Sequence, residues 1–351
     1  MSKFIICIIL IILLYYFVMK QDEIKYDVRK KIYLSLSSLL ILALYLIVDT
    51  SKFPDLPIYK YIYENIVQNG TIYFAFDILE SEKGYLWLNI ILKFISDNFN
   101  ILRIIIASFI VISLSRAIYK YSDKTWLSLI LFLCTLFYPT IYTLRQSIAV
   151  FIFLYGIKYI IDRNLIKYLL CIGIAFLFHK TSLVCIILYF LYPLNINKRN
   201  LFIFFCCCLV FLFTISFFLN RIGLYISDIN TYILEDGATS SIRQLIIPFL
   251  TLFFSLFVFR KQLKNKNIDK ENQLFFWLVL LHCGFSIVSF FSTNFNHFYR
   301  LNYYFFIGTI FLIPNSIHTI KKVSIKNIST FLWIVFWVAY MYILTNMQYG
   351  L

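Results

Sequence analysis

Long apolar runs alternate with short polar clusters along the whole chain. The runs cover about 4–19, 32–48, 101–118, 125–141, 146–161, 168–194, 201–219, 244–259, 274–291, 301–319 and 330–346. Most are near the roughly 17–25 apolar residues that carry a helix across a bilayer. The pattern predicts an all-α, polytopic transmembrane bundle, read as a single integral membrane domain over 1–351. The first run follows Lys3 and is followed by Met19-Lys20-Gln21-Asp22, which lacks the small residues of a signal-peptide cleavage site. It reads as a retained first span.

The run 168–194 is too long for one simple span and carries His179 and Lys180 at its middle. A single helix would bury both in lipid, whereas a tight helical hairpin puts them at one surface. Charge chooses the hairpin. With it, the segments 20–31, 116–124, 158–167, 195–200, 260–272 and 320–329 share one side and hold 21 of the 32 lysines and arginines. Cytoplasmic loops are the ones enriched in these residues. Without the hairpin, Arg260, Lys261, Lys264, Lys266 and Lys270 would face outward. The topology that follows has about twelve spans with both termini outside. It leaves two long outer loops, 49–84 and 220–243, as the non-cytoplasmic face, so Asp77 and Glu235 are expected outside. Tyr85–Ser96 is too short to span and reads as a helix lying in the outer interface or dipping partway in.

Composition supports the membrane reading. Hydrophobic residues make up 61% of the 351 and charged residues 14%, against about a quarter charged in soluble domains. The net charge of +15 is scattered over loops and forms no continuous basic face, so nucleic-acid binding is excluded. The eight cysteines all lie in apolar runs without CxxC spacing or a nearby histidine set, and read as small hydrophobes. No metal cage and no cofactor motif is visible.

Basic residues on the outer side need a reason other than orientation. Arg145 lies between two apolar runs in Leu144-Arg145-Gln146-Ser147, Arg243 opens the run after the second outer loop, and Arg300 opens another in His297-Phe298-Tyr299-Arg300. Guanidinium forks match phosphate oxygens and stay charged at any relevant pH. Snorkelling to lipid headgroups is the competing account for each. It is weakest for Arg145, whose connecting segment is too short to leave the bundle. His179, in Phe178-His179-Lys180-Thr181-Ser182, is an ionisable group at membrane depth. It could serve as a general base towards a sugar hydroxyl, bind a phosphate, or simply cap a turn. His297 is a second, more exposed candidate. The acidic first outer loop adds Asp55 and Tyr59, four apart, and Glu82-x-Gly84-Tyr85. Carboxylates beside aromatic faces suit carbohydrate; a merely solvated loop is the plainer alternative.

These pieces together resemble the EpsG family of bacterial exopolysaccharide polymerases, related to the Wzy-type polymerases. The resemblance covers most of the chain and is best from about 49 to 194. It rests on the tyrosines after Asp55, on Glu82-Lys83-Gly84-Tyr85, and on Leu144-Arg145-Gln146-Ser147-Ile148-Ala149. Phe178-His179-Lys180-Thr181-Ser182-Leu183 and Tyr299-Arg300-Leu301-Asn302-Tyr303 complete it. One departure is the start of the first outer loop, where Lys52 stands in place of an arginine and Asp55 is separated from Tyr59. The resemblance implies a polymerase in the bacterial cytoplasmic membrane with its site facing outward. Donor and acceptor would be oligosaccharides on undecaprenyl pyrophosphate, with no metal and no cofactor. The implied catalytic residues are Arg145, His179 and Arg300, with Arg243, Asp55, Tyr59, Glu82, Tyr85 and His297 binding substrate. The resemblance leaves room for a flippase and a chain-length regulator as partners.

Three other functions compete. A membrane O-acyltransferase would use an intramembrane histidine but has no evident need for three outer arginines. A transporter of lipid-linked sugars should show internal repeats and broken helices, and here only 9 Gly and 6 Pro occur. A metal-dependent sugar-phosphate transferase should show paired acids, for which Asp49 and Asp55 are poorly spaced.

Overall fold

The computed structural model describes residues 2–21, 24–48, 53, 55–68, 71–72, 82–222, 243–291 and 298–349. It is helical almost throughout. In chain order the helices are α1 (Ser2–Met19), α2 (Tyr26–Ile47), α3 (Leu56–Asn65), α4 (Lys83–Ile95), α5 (Phe99–Tyr121), α6 (Thr125–Thr135), α7 (Phe137–Tyr142) and α8 (Leu144–Ile161). They continue with α9 (Leu165–Phe178), a 3-10 turn (Lys180–Cys185), α10 (Ile186–Leu191), α11 (Lys198–Ile222) and α12 (Arg243–Val258). Last come α13 (Arg260–Lys264), α14 (Lys270–Phe291), α15 (Phe298–Thr319) and α16 (Val323–Tyr349). Among the described residues the one β element is an antiparallel pairing after α3, with Val67 opposite Ile72 and Gln68 opposite Thr71.

Among the described residues, five helical segments are long and apolar enough to cross a membrane: α2, α5, α8, α14 and Val323–Ile343 of α16. Five more apolar helical segments, including α6 and α9, are shorter. The apolar run 125–141 is broken at Leu136 into α6 and α7, and α8 starts after a second break at Thr143. Pro139 sits between those breaks, and the Thr143 hydroxyl donates to its carbonyl at 2.8 Å. The helix starts that sequence marks with asparagine are capped by it. Asn98 accepts from the amide of Asn100 before α5, and Asn164 accepts from that of Lys167 before α9.

The chain folds into two compact units, 1–186 with 322–351, and 187–321. In the first, α8 is the centre: 67% of it is buried, and it packs against α5 and α9. α2 runs antiparallel to α5, with Ser38 against Ser115 at one level and the Arg103 guanidinium on the Tyr45 carbonyl at another. At His179 the backbone is extended, with φ −158° and ψ 120°. The chain then turns back, because the Tyr168 hydroxyl donates to the Cys185 carbonyl at 2.6 Å. In a continuous helix those two residues would be about 25 Å apart along the axis.

In the second unit α14 is the centre, 78% buried, and packs against α11, α12 and α15. Gly308 lets α15 lie close on α14: a Cβ there would sit 2.6 Å from Leu278 Cβ and 3.0 Å from the Phe275 carbonyl. Asn315 donates to Asn272 across the same pair at 2.9 Å.

Candidate active site

The break at Thr143 places Arg145 in the first turn of α8, in the first unit. A cation there opposes the positive end of the helix dipole, a cost of about 0.3–1 kcal/mol when exposed. The compensation is Glu82. Its Oε2 lies 2.6 Å from Arg145 Nη1, and its other oxygen, Oε1, lies 2.6 Å from His179 Nδ1. One nearly buried carboxylate therefore ties together residues from three separate parts of the chain.

Each member is delivered by local backbone. Glu82 immediately precedes α4 and makes no capping hydrogen bond. It turns instead to Arg145 and His179. Gly84 makes this reach feasible. A Cβ at Gly84 would stand 2.9 Å from both Leu177 Cβ and the Leu177 carbonyl oxygen, so only glycine lets the start of α4 rest on the end of α9. His179 follows that end directly, at the extended residue where α9 stops.

Two tyrosines complete the surroundings. Arg145 Nε donates to the Tyr59 hydroxyl at 3.3 Å, and the guanidinium carbon lies 5.6 Å from the Tyr59 ring centre. The rings of Tyr59 and Tyr85 meet edge to face at 5.6 Å. Tyr59 is brought in by α3, which has Pro57 in its first turn and Asp55 at its N-cap position. Tyr59 and Tyr85 are both buried, so their rings wall the Arg145 side chain. Asp55 is half-buried and interacts electrostatically with Tyr59.

Electrostatics fix the protonation of the carboxylate. Burial pushes the Glu82 pKa up. The hydrogen bond from His179 and the positive charge of Arg145 outweigh that, and the net result lies below the usual carboxylate value. An ionised carboxylate only accepts hydrogen bonds, so His179 Nδ1 is the donor. In the neutral ring this leaves Nε2 with its lone pair, the arrangement in which imidazole accepts a proton. Among the described residues no three His, Cys, Asp or Glu side chains gather into a metal-ligating group.

The residues singled out in sequence thus fall into two sets. Arg145, His179, Glu82, Tyr59 and Tyr85 are joined by one connected set of contacts, with Asp55 beside them. The others belong to the second unit. Arg300 is half-buried in the first turn of α15. Arg243 opens α12, its side chain outside the described residues, as is His297. Asp77 and Glu235, expected outside by topology, also lie outside the described residues. Sequence alone did not reveal that Glu82 is the hub. The signal was an unexplained cation at a helix start, which calls for an acid, but several acids in the first outer loop could have supplied it.

No curated protein and no solved structure matches the chain. The model of one family does match, over residues 36–349, which takes in every side chain of the cluster. On that match, the chain belongs to the EpsG family.

Proposed function

We propose that this protein is a polysaccharide polymerase that joins lipid-linked repeat units at the outer face of the bacterial cytoplasmic membrane. The donor is a glycan on undecaprenyl pyrophosphate and the acceptor is a lipid-linked repeat unit. An acceptor hydroxyl oxygen bonds to the anomeric carbon of the donor's reducing-end sugar. The bond from that carbon to the pyrophosphate oxygen breaks. The hydroxyl proton passes to His179 Nε2, and undecaprenyl pyrophosphate leaves. The proposed topology of about twelve spans, with the loops 49–84 and 220–243 outside, would have the cluster on the side where such substrates are displayed.

One observation carries this reading: the Glu82 carboxylate holds His179 through Nδ1 and Arg145 through Nη1, each at 2.6 Å. The first contact orients an imidazole as a base, which is worth about 10²–10⁴ in rate. The second holds a guanidinium at a helix start, where backbone N–H groups also favour an anion. A pyrophosphate is a good leaving group and mainly needs its developing charge neutralised, which positioned cations do. Arg145 supplies that charge from the first unit. Asp55, beside the cluster, is proposed to contact sugar. Glu82, Tyr59 and Tyr85 then act on substrate through Arg145 and His179, as positioning residues. The chemistry needs no metal.

Deletion of the gene, followed by analysis of lipid-linked and surface glycan, tests the proposal. Single repeat units accumulating on the lipid carrier, with polymer lost, is the expected result. Full-length polymer that lacks a substituent would replace the polymerase by an O-acyltransferase. Repeat units retained on the cytoplasmic side would replace it by a transporter.

A further inference from the structure

A second feature of the first unit lies away from the Glu82 cluster. Between α2, α5 and α8 runs a groove of about 810 Å³. Four cations line it: Lys31, Arg116, Lys120 and Lys158. No carboxylate lines it, and none of the four forms an ion pair with a carboxylate among the described residues. Asp27 and Asp123 interact with Lys30, which is not part of the lining.

Aromatic rings steady three of these cations instead, and Lys120 Nζ lies 5.0 Å from the Tyr121 ring centre. Lys158 Nζ lies 4.3 Å from the Tyr155 ring centre and 4.5 Å from that of Tyr159, and donates to the Tyr155 hydroxyl at 3.0 Å. Lys31 Nζ lies 5.7 Å from the Tyr119 ring centre. Such contacts hold a cation in place without cancelling its charge. Within about one to two helical turns of the cations, Ser35, Ser38, Ser113 and Ser115 line the groove. Leu34, Leu39, Ile112 and Leu154 supply its apolar wall. All three helices are long and apolar enough to cross a membrane.

Orientation by positive charge explains why cations stand at this end of the helices, and the dipoles of α5 and α8 favour cations at their C-terminal ends. Neither explains an open groove between them that lacks an acid and continues into an apolar wall. That combination fits one ligand: a phosphate monoanion joined through polar ester groups to hydrocarbon. Basic pockets between transmembrane helices bind anionic lipid headgroups on the cytoplasmic side.

We infer that this groove binds one anionic phospholipid of the leaflet on the Lys158 side. Its phosphate sits among Lys31, Arg116, Lys120 and Lys158, its glycerol and ester oxygens face the serines, and an acyl chain lies along Leu34, Leu39 and Ile112. The site is separate from the Glu82 cluster. Arg145 and Lys158 lie near opposite ends of α8, about 20 Å apart along its axis.

The test uses the full-length protein in nanodiscs of phosphatidylcholine containing a minority of phosphatidylglycerol. After gentle extraction, native mass spectrometry counts the lipids retained. Selective retention of one phosphatidylglycerol is expected. R116Q/K158Q should weaken it by about fivefold per charge removed, while R116K/K158R should hold it within about twofold. Phosphatidylcholine retained as well as phosphatidylglycerol overturns the proposal, as does full retention by the Gln variant. Displacement of the lipid by inorganic phosphate alone would also overturn it, by making this a soluble-anion site. Should the Gln variant fail to fold, the comparison of the two lipids on the wild-type protein still decides. Polymer formation enters none of these readouts, so the result stands apart from the polymerase proposal.

Discussion

Arg145 stands at the end of its helix where a cation is least welcome, so its position is explained by what it touches. The proposed role predicts that Arg145→Ala abolishes polymer, with a loss of about 10²–10³ in rate, while the protein remains inserted and abundant. Arg145→Lys should rescue little, because lysine cannot reach Glu82 and Tyr59 with one planar group. Surface polymer per unit of inserted protein measures both, and near-normal polymer from the lysine variant would demote Arg145 to an anchor. Glu82→Gln and His179→Ala should each lose about 10²–10⁴. The double variant should lose little more than either, since the two act as one unit. Glu82 also sets an acid-side limit on stability. Its folded-state pKa lies below the ordinary value of 4.5, so its contribution is complete above that value and disappears as pH falls through the folded one. The melting temperature of detergent-solubilised protein should therefore fall more steeply on acidification for wild type than for Glu82→Gln. Arg145 and His179 were legible in sequence because each breaks a rule of its surroundings, a cation or imidazole flanked by apolar runs. Glu82 breaks none, sitting among other acids in a polar loop, and its role appears only once the chain has brought 82, 145 and 179 together.

Among the elements, the contact between α4 and α9 sets the geometry of the cluster. Gly84→Ala would drive a methyl against the Leu177 carbonyl as well as its Cβ. We expect a destabilisation of about 1–3 kcal/mol and a loss of polymer from the displacement of Glu82. Leu177→Ala should not rescue it, because both the carbonyl and the Cβ remain. A thermal melt together with polymer yield checks this, and full rescue would place the clash elsewhere. The helices themselves were largely readable. The short segment 85–96 emerges as α4 (Lys83–Ile95), and its buried Tyr85, Leu86, Asn89 and Ile90 alternate with exposed Trp87 and Ile91 in a helical pattern. What hydropathy did not show are the interruptions. Leu136 and Thr143 end helices inside nearly continuous apolar sequence, because an apolar window records burial and carries little information on where backbone hydrogen bonding stops.

At the scale of the whole molecule, charge and fold can be tested together. Lys264→Cys should resist a membrane-impermeant thiol reagent in intact cells, and Asp77→Cys should react in a background lacking the native cysteines. Labelling of Lys264→Cys from outside would invert the topology beyond the turn at His179. The division into two units was not legible in the sequence, where apolar runs follow one another without a linker, since it depends on which helices share a core. One helix of the first unit matters beyond its packing. α9 has 14 residues, so it is about 20 Å long, against a hydrocarbon core of about 30 Å. On the proposed topology, in which α9 enters the bilayer, the protein offers a belt beside His179 that is too short, and such hydrophobic mismatch is relieved by local thinning of the lipid. On the proposed function, thinning would lower the headgroup plane towards the imidazole, and a carrier lipid would present its pyrophosphate there without being lifted out of its leaflet. Turnover in vesicles should then fall as acyl chains lengthen, with the lipid's own thickness acting as a determinant of how fast sugar is joined to sugar.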